Sequence, residues 1–239
     1  MPAAVLLHGG CWQARFDLTP MGQLARSLTR HGCAIWNLEY RRIGNGGGWP
    51  NTFLDVATGT DHLRRLAPEY NLDTSGVVSI GHSAGGHLAL WLAGRHRLPR
   101  TSPLYVDDPM AVHGVVAIAG IADLALANRL GICRGAAQTL LEGSIDEHPE
   151  RYAQASPDRL LPLAVPHRHL TGRDDRLVSG ESVRAFVDRA RQRGDDVTIS
   201  EIDECGHFEL VTAGTPAAAI VEETVAQLIA ANKRAGEGS

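Results

Sequence analysis

The stretch SIGHSAGGHLALWLAG (79–94) is where the chain changes period, from an apolar run to a helical pattern, and the change happens at Gly81-His82-Ser83-Ala84-Gly85. A serine there is either incidental to a tight strand-to-helix turn or held out as a nucleophile. Gly-x-Ser-x-Gly between a strand and a helix fits the second reading for a steric reason. The serine takes a strained backbone conformation, and side chains two residues before and after it would collide across the turn. The following helix also turns its positive N-terminal end toward a reacting carbonyl oxygen.

The rest of the chain must supply a fold for this turn. At 239 residues it is long enough for one α/β domain (1–239), without a repeat, low-complexity block or linker. With 44% hydrophobic and 21% charged residues it reads as globular and soluble, and a formal charge of −4 offers no basic face for nucleic acid or an anionic membrane. No apolar run reaches the roughly 20 residues of a membrane span, and the N-terminus, MPAAVLLHGG, reads as a strand and not as a signal peptide. Cys11, Cys33, Cys133 and Cys205 show no CxxC spacing and are read as free thiols in a reducing, cytoplasmic compartment.

Strands are predicted at 3–8, 33–40, 76–81, 114–120, 166–172 and 196–203. Helices are predicted near 20–31, 51–67, 84–95, 135–142, 180–193 and 216–231. This alternation implies an α/β class with a mostly parallel sheet of about six strands, helices on both faces. Residues 40–52 and 121–162 interrupt it and are expected to form a pocket wall or cap, while 232–239 reads as a frayed polar tail.

A serine nucleophile needs a base, and the base an orienting acid. His207, in ECGHFELV, follows the last strand at the end where open α/β sheets gather their sites. TGRDDRLVS follows the preceding strand and offers both Asp174 and Asp175; Gly-x-x-Asp-x-x-Val spacing from Gly172 to Val178 selects Asp175. The His-Gly-Gly of LLHGGCW (6–12) can supply an oxyanion hole from the N–H groups of Gly10 and Cys11, joined by that of Ala84. His8 reads as a brace for that loop. His82 flanks the elbow beside the pocket, and with His87 it shows no ligand spacing, so no metal and no cofactor are assigned.

With HGGCW and GHSAGGHLAL in this order, the chain resembles the α/β-hydrolase superfamily over nearly its whole length. It is most similar to the branch of kynurenine formamidases (arylformamidases) and related small carboxylesterases. The stretch EYRR…GGGWP…D and the ASP…P…G..D run before the acid are similar as well. The resemblance implies metal-free hydrolysis of an ester or N-formyl amide through an acyl-serine intermediate, with Trp12 and Trp49 lining the pocket. In such sheets two further strands usually precede the one that leads to the oxyanion loop. Here that strand begins at residue 3, which makes 33–40 an edge. The expectation is a homodimer paired through that edge, or a natural start upstream.

Specificity is expected from Trp49, Leu124, Leu126, Leu130, Ile132 and Tyr152, which favour a small-to-medium, largely apolar acyl or aryl ester. The competing readings are an N-formylkynurenine hydrolase, a peptidase, an acyl transferase and a non-catalytic binding protein on the same fold.

Overall fold

Alternation along the first strand decides how the sheet is covered. In β1 (Pro2–Leu7), Val5 and Leu7 belong to one hydrophobic cluster and Ala4 and Leu6 to another, and all four are fully buried. A strand apolar on both sides has to lie between two layers, as parallel strands do. The computed structural model describes the backbone of residues 1–237 and the side chains of residues 1–234.

Five further strands, β2 (Ala34–Leu38), β3 (Asp73–His82), β4 (Gly114–Ile118), β5 (His167–Gly172) and β6 (Val197–Ile202), complete a parallel sheet of order β2-β1-β3-β4-β5-β6. Helices α1 (Gly22–Thr29) and α9 (Pro216–Glu237) cover the face of Ala4, Leu6 and Ile80. Helices α2 (Asn51–Asp61), α3 (Leu63–Tyr70), α4 (Ala84–Gly94) and α8 (Gly180–Gln192) cover the face of Val5 and Leu7, contributing Phe53, Leu63, Leu88 and Phe186. Every residue of α4 is buried, so the helix after Ser83 lies inside the molecule and shows no polar stripe.

All six expected strands are present. The helix expected over 51–67 divides at His62, whose carbonyl takes N–H groups from both Arg65 and Leu66 as the turn tightens. The polar tail expected over 232–239 is helical through residue 237, because α9 continues past its apolar face; residues 238 and 239 lie outside the described residues. β2 and β6 are the edge strands, and a cavity of about 450 Å³ lined by Ala34, Trp36, Leu66 and Tyr70 runs beside β2.

The 121–162 connection folds into α5 (Leu124–Arg129), α6 (Ala136–Leu140) and α7 (Pro149–Ala155). Between α5 and α6 the backbone is left-handed at Gly131, Cys133, Arg134 and Gly135. This segment lies against the loop after β1, and Cys133 is joined to Cys11 by a disulfide. The reading of four free thiols is therefore corrected: only Cys33 and Cys205 are free, and both are buried. A pairing across 122 residues of sequence leaves no local spacing to read. The cysteines no longer argue for a reducing compartment. Among the described residues no helix is long and apolar enough to cross a membrane.

Candidate active site

The turn at Ser83 is built by glycines that cannot be replaced. A Cβ on Gly81 would lie 2.1 Å from the Gly85 carbonyl oxygen, and one on Gly85 would lie 2.1 Å from that of Leu7. Strand β3, helix α4 and strand β1 thus meet backbone to backbone. The cost of this meeting falls on Ser83, which sits at φ 55°, ψ −118°, outside the regions a side-chain-bearing residue prefers. Its N–H donates to Ile118 O at 2.8 Å and its carbonyl accepts the first helical bond from His87 N. The neighbouring Ala84 N–H, on the same peptide as that carbonyl, points out of the helix with no intrahelical partner.

The loop after β1 carries the other donors. His8 is buried and its pKa is lowered by that burial. Its Nδ1 donates to Gly9 O (2.8 Å), its Nε2 lies between Glu39 Oε1 (2.9 Å) and Arg42 Nη1 (3.0 Å), and the ring stacks on Tyr40 at 4.3 Å. The Tyr40 hydroxyl donates to His8 O at 2.7 Å. Because a trans peptide holds its C=O and N–H antiparallel, fixing Gly9 O also fixes the direction of the Gly10 N–H. In the same way Gln13 N–H, bonded to Gly10 O at 3.0 Å, fixes the Cys11 N–H. Among the described residues no acceptor is paired with the N–H of Gly10 or Cys11. Gly9 must be glycine to lie here, since its Cβ would be 3.2 Å from Ser83 Cβ and 2.9 Å from His82 O.

Asp175 follows β5 and His207 follows β6. The ends of the two strands are brought together by Gly172, whose Cβ would be 2.1 Å from Cys205 O, and by the bond from Asp174 N to Cys205 O at 2.9 Å. His207 Nδ1 then lies 2.7 Å from Asp175 Oδ2, both side chains nearly without exposure. Asp175 Oδ1 accepts from the N–H groups of Leu177 (2.8 Å) and Val178 (2.9 Å). Burial raises the Asp175 pKa, but the bond from His207 and these two backbone donors outweigh it and hold the carboxyl below its usual range. Asp174 is exposed, and its neighbour is the carboxylate that meets His207.

His82 joins the two halves of the site. Its Nε2 donates to His207 O at 2.9 Å and its ring lies 4.5 Å from the His207 ring. Burial and the neighbouring His207 push its pKa down to about 3, so it is neutral. Ser83, His207, Asp175, Gly10, Cys11 and Ala84 therefore all lie just past the C-terminal ends of β1, β3, β5 and β6. A hydrogen bond from the Ser83 hydroxyl to His207 is not among those formed; such bonds often close only around a substrate.

Trp12 is fully buried, donating from Nε1 to His87 Nδ1 at 3.2 Å, and so anchors the loop in the core instead of lining a pocket. Trp49 is half-buried against Phe53, with its N–H bonded to Leu140 O. Leu124, Ile132 and Tyr152 are buried in the same hydrophobic cluster as Val5, Leu7 and Trp12, and Leu130 is exposed. The sequence reading missed Phe208 and Phe16, large apolar side chains with 61% and 41% exposure. Phe208 lies edge-on to the His207 ring at 5.1 Å, and Phe16 covers Gly10 so closely that a Cβ there would meet it at 2.4 Å. Their signal was their position, one residue after His207 and six after Gly10.

Over 99% of its length the chain is 27% identical to the probable carboxylic ester hydrolase LipM of Mycobacterium tuberculosis; it spans 56% of that protein's length. Its fold superposes on an inhibited Esterase B from Lactobacillus rhamnosis with a TM-score of 0.85 and 17% identity, covering all of this chain and 79% of that one. A bifunctional GH43-CE protein of Bacteroides eggerthii gives a TM-score of 0.79 and 21% identity over 97% of this chain and 34% of that one. The six-stranded parallel sheet with its helical layers is an α/β-hydrolase fold. Residues 1–189 match the BD-FAE family, and the chain belongs to it.

Proposed function

We propose that this protein is a serine esterase that cleaves carboxylic esters through an acyl-serine intermediate. The observation that carries the reading is the buried His207–Asp175 pair docked, through His82, on the residue next to a serine with strained backbone. The similarity to a probable carboxylic ester hydrolase supports it.

Ser83 Oγ attacks the ester carbonyl while His207 Nε2 takes its proton. Asp175 holds His207 with Nδ1 protonated, so that Nε2 is free to accept, and stabilises the imidazolium that forms. The oxyanion settles against the N–H groups of Gly10, Cys11 and Ala84, which already point outward and need no reorganisation. His207 then protonates the leaving alcohol, and water repeats the sequence against the acyl-serine. Phe16 and Phe208 give the approach an apolar, aromatic rim, which suits an aryl or apolar ester better than a strongly ionic one.

The test is kcat/KM for phenyl acetate beside N-formyl-L-kynurenine, with Ser83→Ala as the blank. Turnover of the ester above the blank is the expected result. Preference for the formyl amide would move the protein to the arylformamidase reading. Turnover of neither, with tight binding of one, would make it a binding protein on a hydrolase fold.

A further inference from the structure

The loop that presents the oxyanion donors is conformationally costly. Gly10 has φ 110°, and two residues with side chains, Cys11 and Trp12, follow at φ 53° and 54°. Consecutive left-handed residues persist only where the surroundings hold them. Trp12 is held by the core and by Ile43 N–H on its carbonyl (2.8 Å). The Cys11 side chain has one tether, the disulfide to Cys133. Cys133 lies on a segment that is itself left-handed from residue 133 to 135, between α5 and α6. Those helices are anchored without the disulfide, through buried Leu124, Ala137 and Leu140 and through the bond from Trp49 N to Leu140 O.

Resting on the serine-esterase reading, we propose that Cys133 is a positioning residue: its disulfide holds the Cys11 amide on the oxyanion, and reducing that bond attenuates the chemical step. Opening the bond frees the Cys11 side chain and leaves the Gln13 N–H bond to Gly10 O as the remaining hold on the Cys11 amide, while the wall helices stay packed. The lost quantity is therefore stabilisation of the transition state, not substrate binding. The bond is also reachable. A cavity of about 370 Å³ lined by Gln13, Ile43, Cys133 and Thr139 opens beside it, flanked by Arg15 and Arg134. Their guanidinium groups favour approach of an anionic thiolate. A dithiol supplies the two electrons: its thiolate attacks one sulfur and releases the other cysteine. Its second thiol then closes the reagent into its own disulfide, leaving Cys11 and Cys133 as thiols.

The experiment uses the full chain, assayed with p-nitrophenyl acetate before and after dithiothreitol. Active sites are counted by fluorophosphonate titration, and thiols by alkylation, from two in the oxidised form to four when reduced. Reduction is expected to lower kcat per active site about tenfold with KM changed less than about twofold, a partial loss of one oxyanion donor. Reoxidation restores it, and Cys133→Ser matches the reduced enzyme and no longer responds. The inference is overturned if kcat is unchanged at four thiols, or if the loss lies wholly in KM or in the count of active sites. If the oxidised protein neither hydrolyses the ester nor reacts with the fluorophosphonate, the serine-esterase reading fails instead.

Discussion

Replacing Asp175 by Asn tests the orienting acid at a single atom. Oδ1 keeps its place accepting from Leu177 and Val178 at 2.8 and 2.9 Å, so the loop is preserved. Oδ2, 2.7 Å from His207 Nδ1, becomes an amide nitrogen that donates. His207 must then put its proton on Nε2, where it can no longer accept from Ser83. A buried, charge-assisted bond is lost along with the correct tautomer, and kcat for phenyl acetate should fall about 10³–10⁴-fold, or about 4–5.5 kcal/mol on the barrier. Stability should fall by only about 1–3 kcal/mol. Asp174→Asn is the matched control, because that side chain is exposed one residue away, and its kcat should stay within about twofold of the parent. If Asp175→Asn retains more than about a tenth of kcat, or if Asp174→Asn falls as far, the assignment of the acid is refuted.

Gly85→Ala must open the contact of α4 with β1 by about 1 Å, since its Cβ starts 2.1 Å from Leu7 O; a loss of about 3 kcal/mol, roughly 10 °C in Tm, is expected by calorimetry together with loss of activity. His82→Phe keeps a ring against His207 but removes the donor to its carbonyl, and should lower kcat about tenfold with a modest change in Tm; unchanged kcat would show that the contact only packs. Stability should fall in acid because the fold holds His82, His87 and His167 neutral, with pKa values lowered by burial to about 3, 4 and 4. The unfolded chain takes up these protons below its pKa of about 6.5 while the folded chain does not, so stability is present above that pH and is lost as pH falls toward 4, at roughly 1 kcal/mol per histidine per pH unit. Urea titrations from pH 7 to 4.5 that show flat stability would contradict this.

What the sequence made legible is what local sterics demand. Gly81, Gly85, Gly9 and Gly172 each stand where a Cβ would meet the backbone of another segment, so their spacing carries the turn geometry. Strands β1 and β4 are short apolar runs because both faces of the sheet are covered there, and with the β-branched or alternating runs of the others six strands can be counted. The choice of Asp175 over Asp174 followed from the spacing of a turn that is held by Gly172 and Val178. The pocket was less legible. Leu124 and Tyr152 are apolar residues in a weakly periodic connection, a pattern shared by core packing and by a ligand wall, and they pack into the main hydrophobic core. The Cys11–Cys133 bond depends on how that connection folds back, which no local pattern encodes. His82 was read as a pocket residue because it precedes Ser83; its hydrogen-bond partner, the His207 carbonyl, lies 125 residues away and could not be read locally.

The most direct measurement is covalent capture of the nucleophile: the protein is treated with a fluorophosphonate, and the adduct is located by peptide mass mapping. The expected result is one adduct per chain, on Ser83, absent from Ser83→Ala and slowed in Asp175→Asn. An unlabelled protein, or an adduct elsewhere that persists in Ser83→Ala, would contradict Ser83 as the acyl-forming residue.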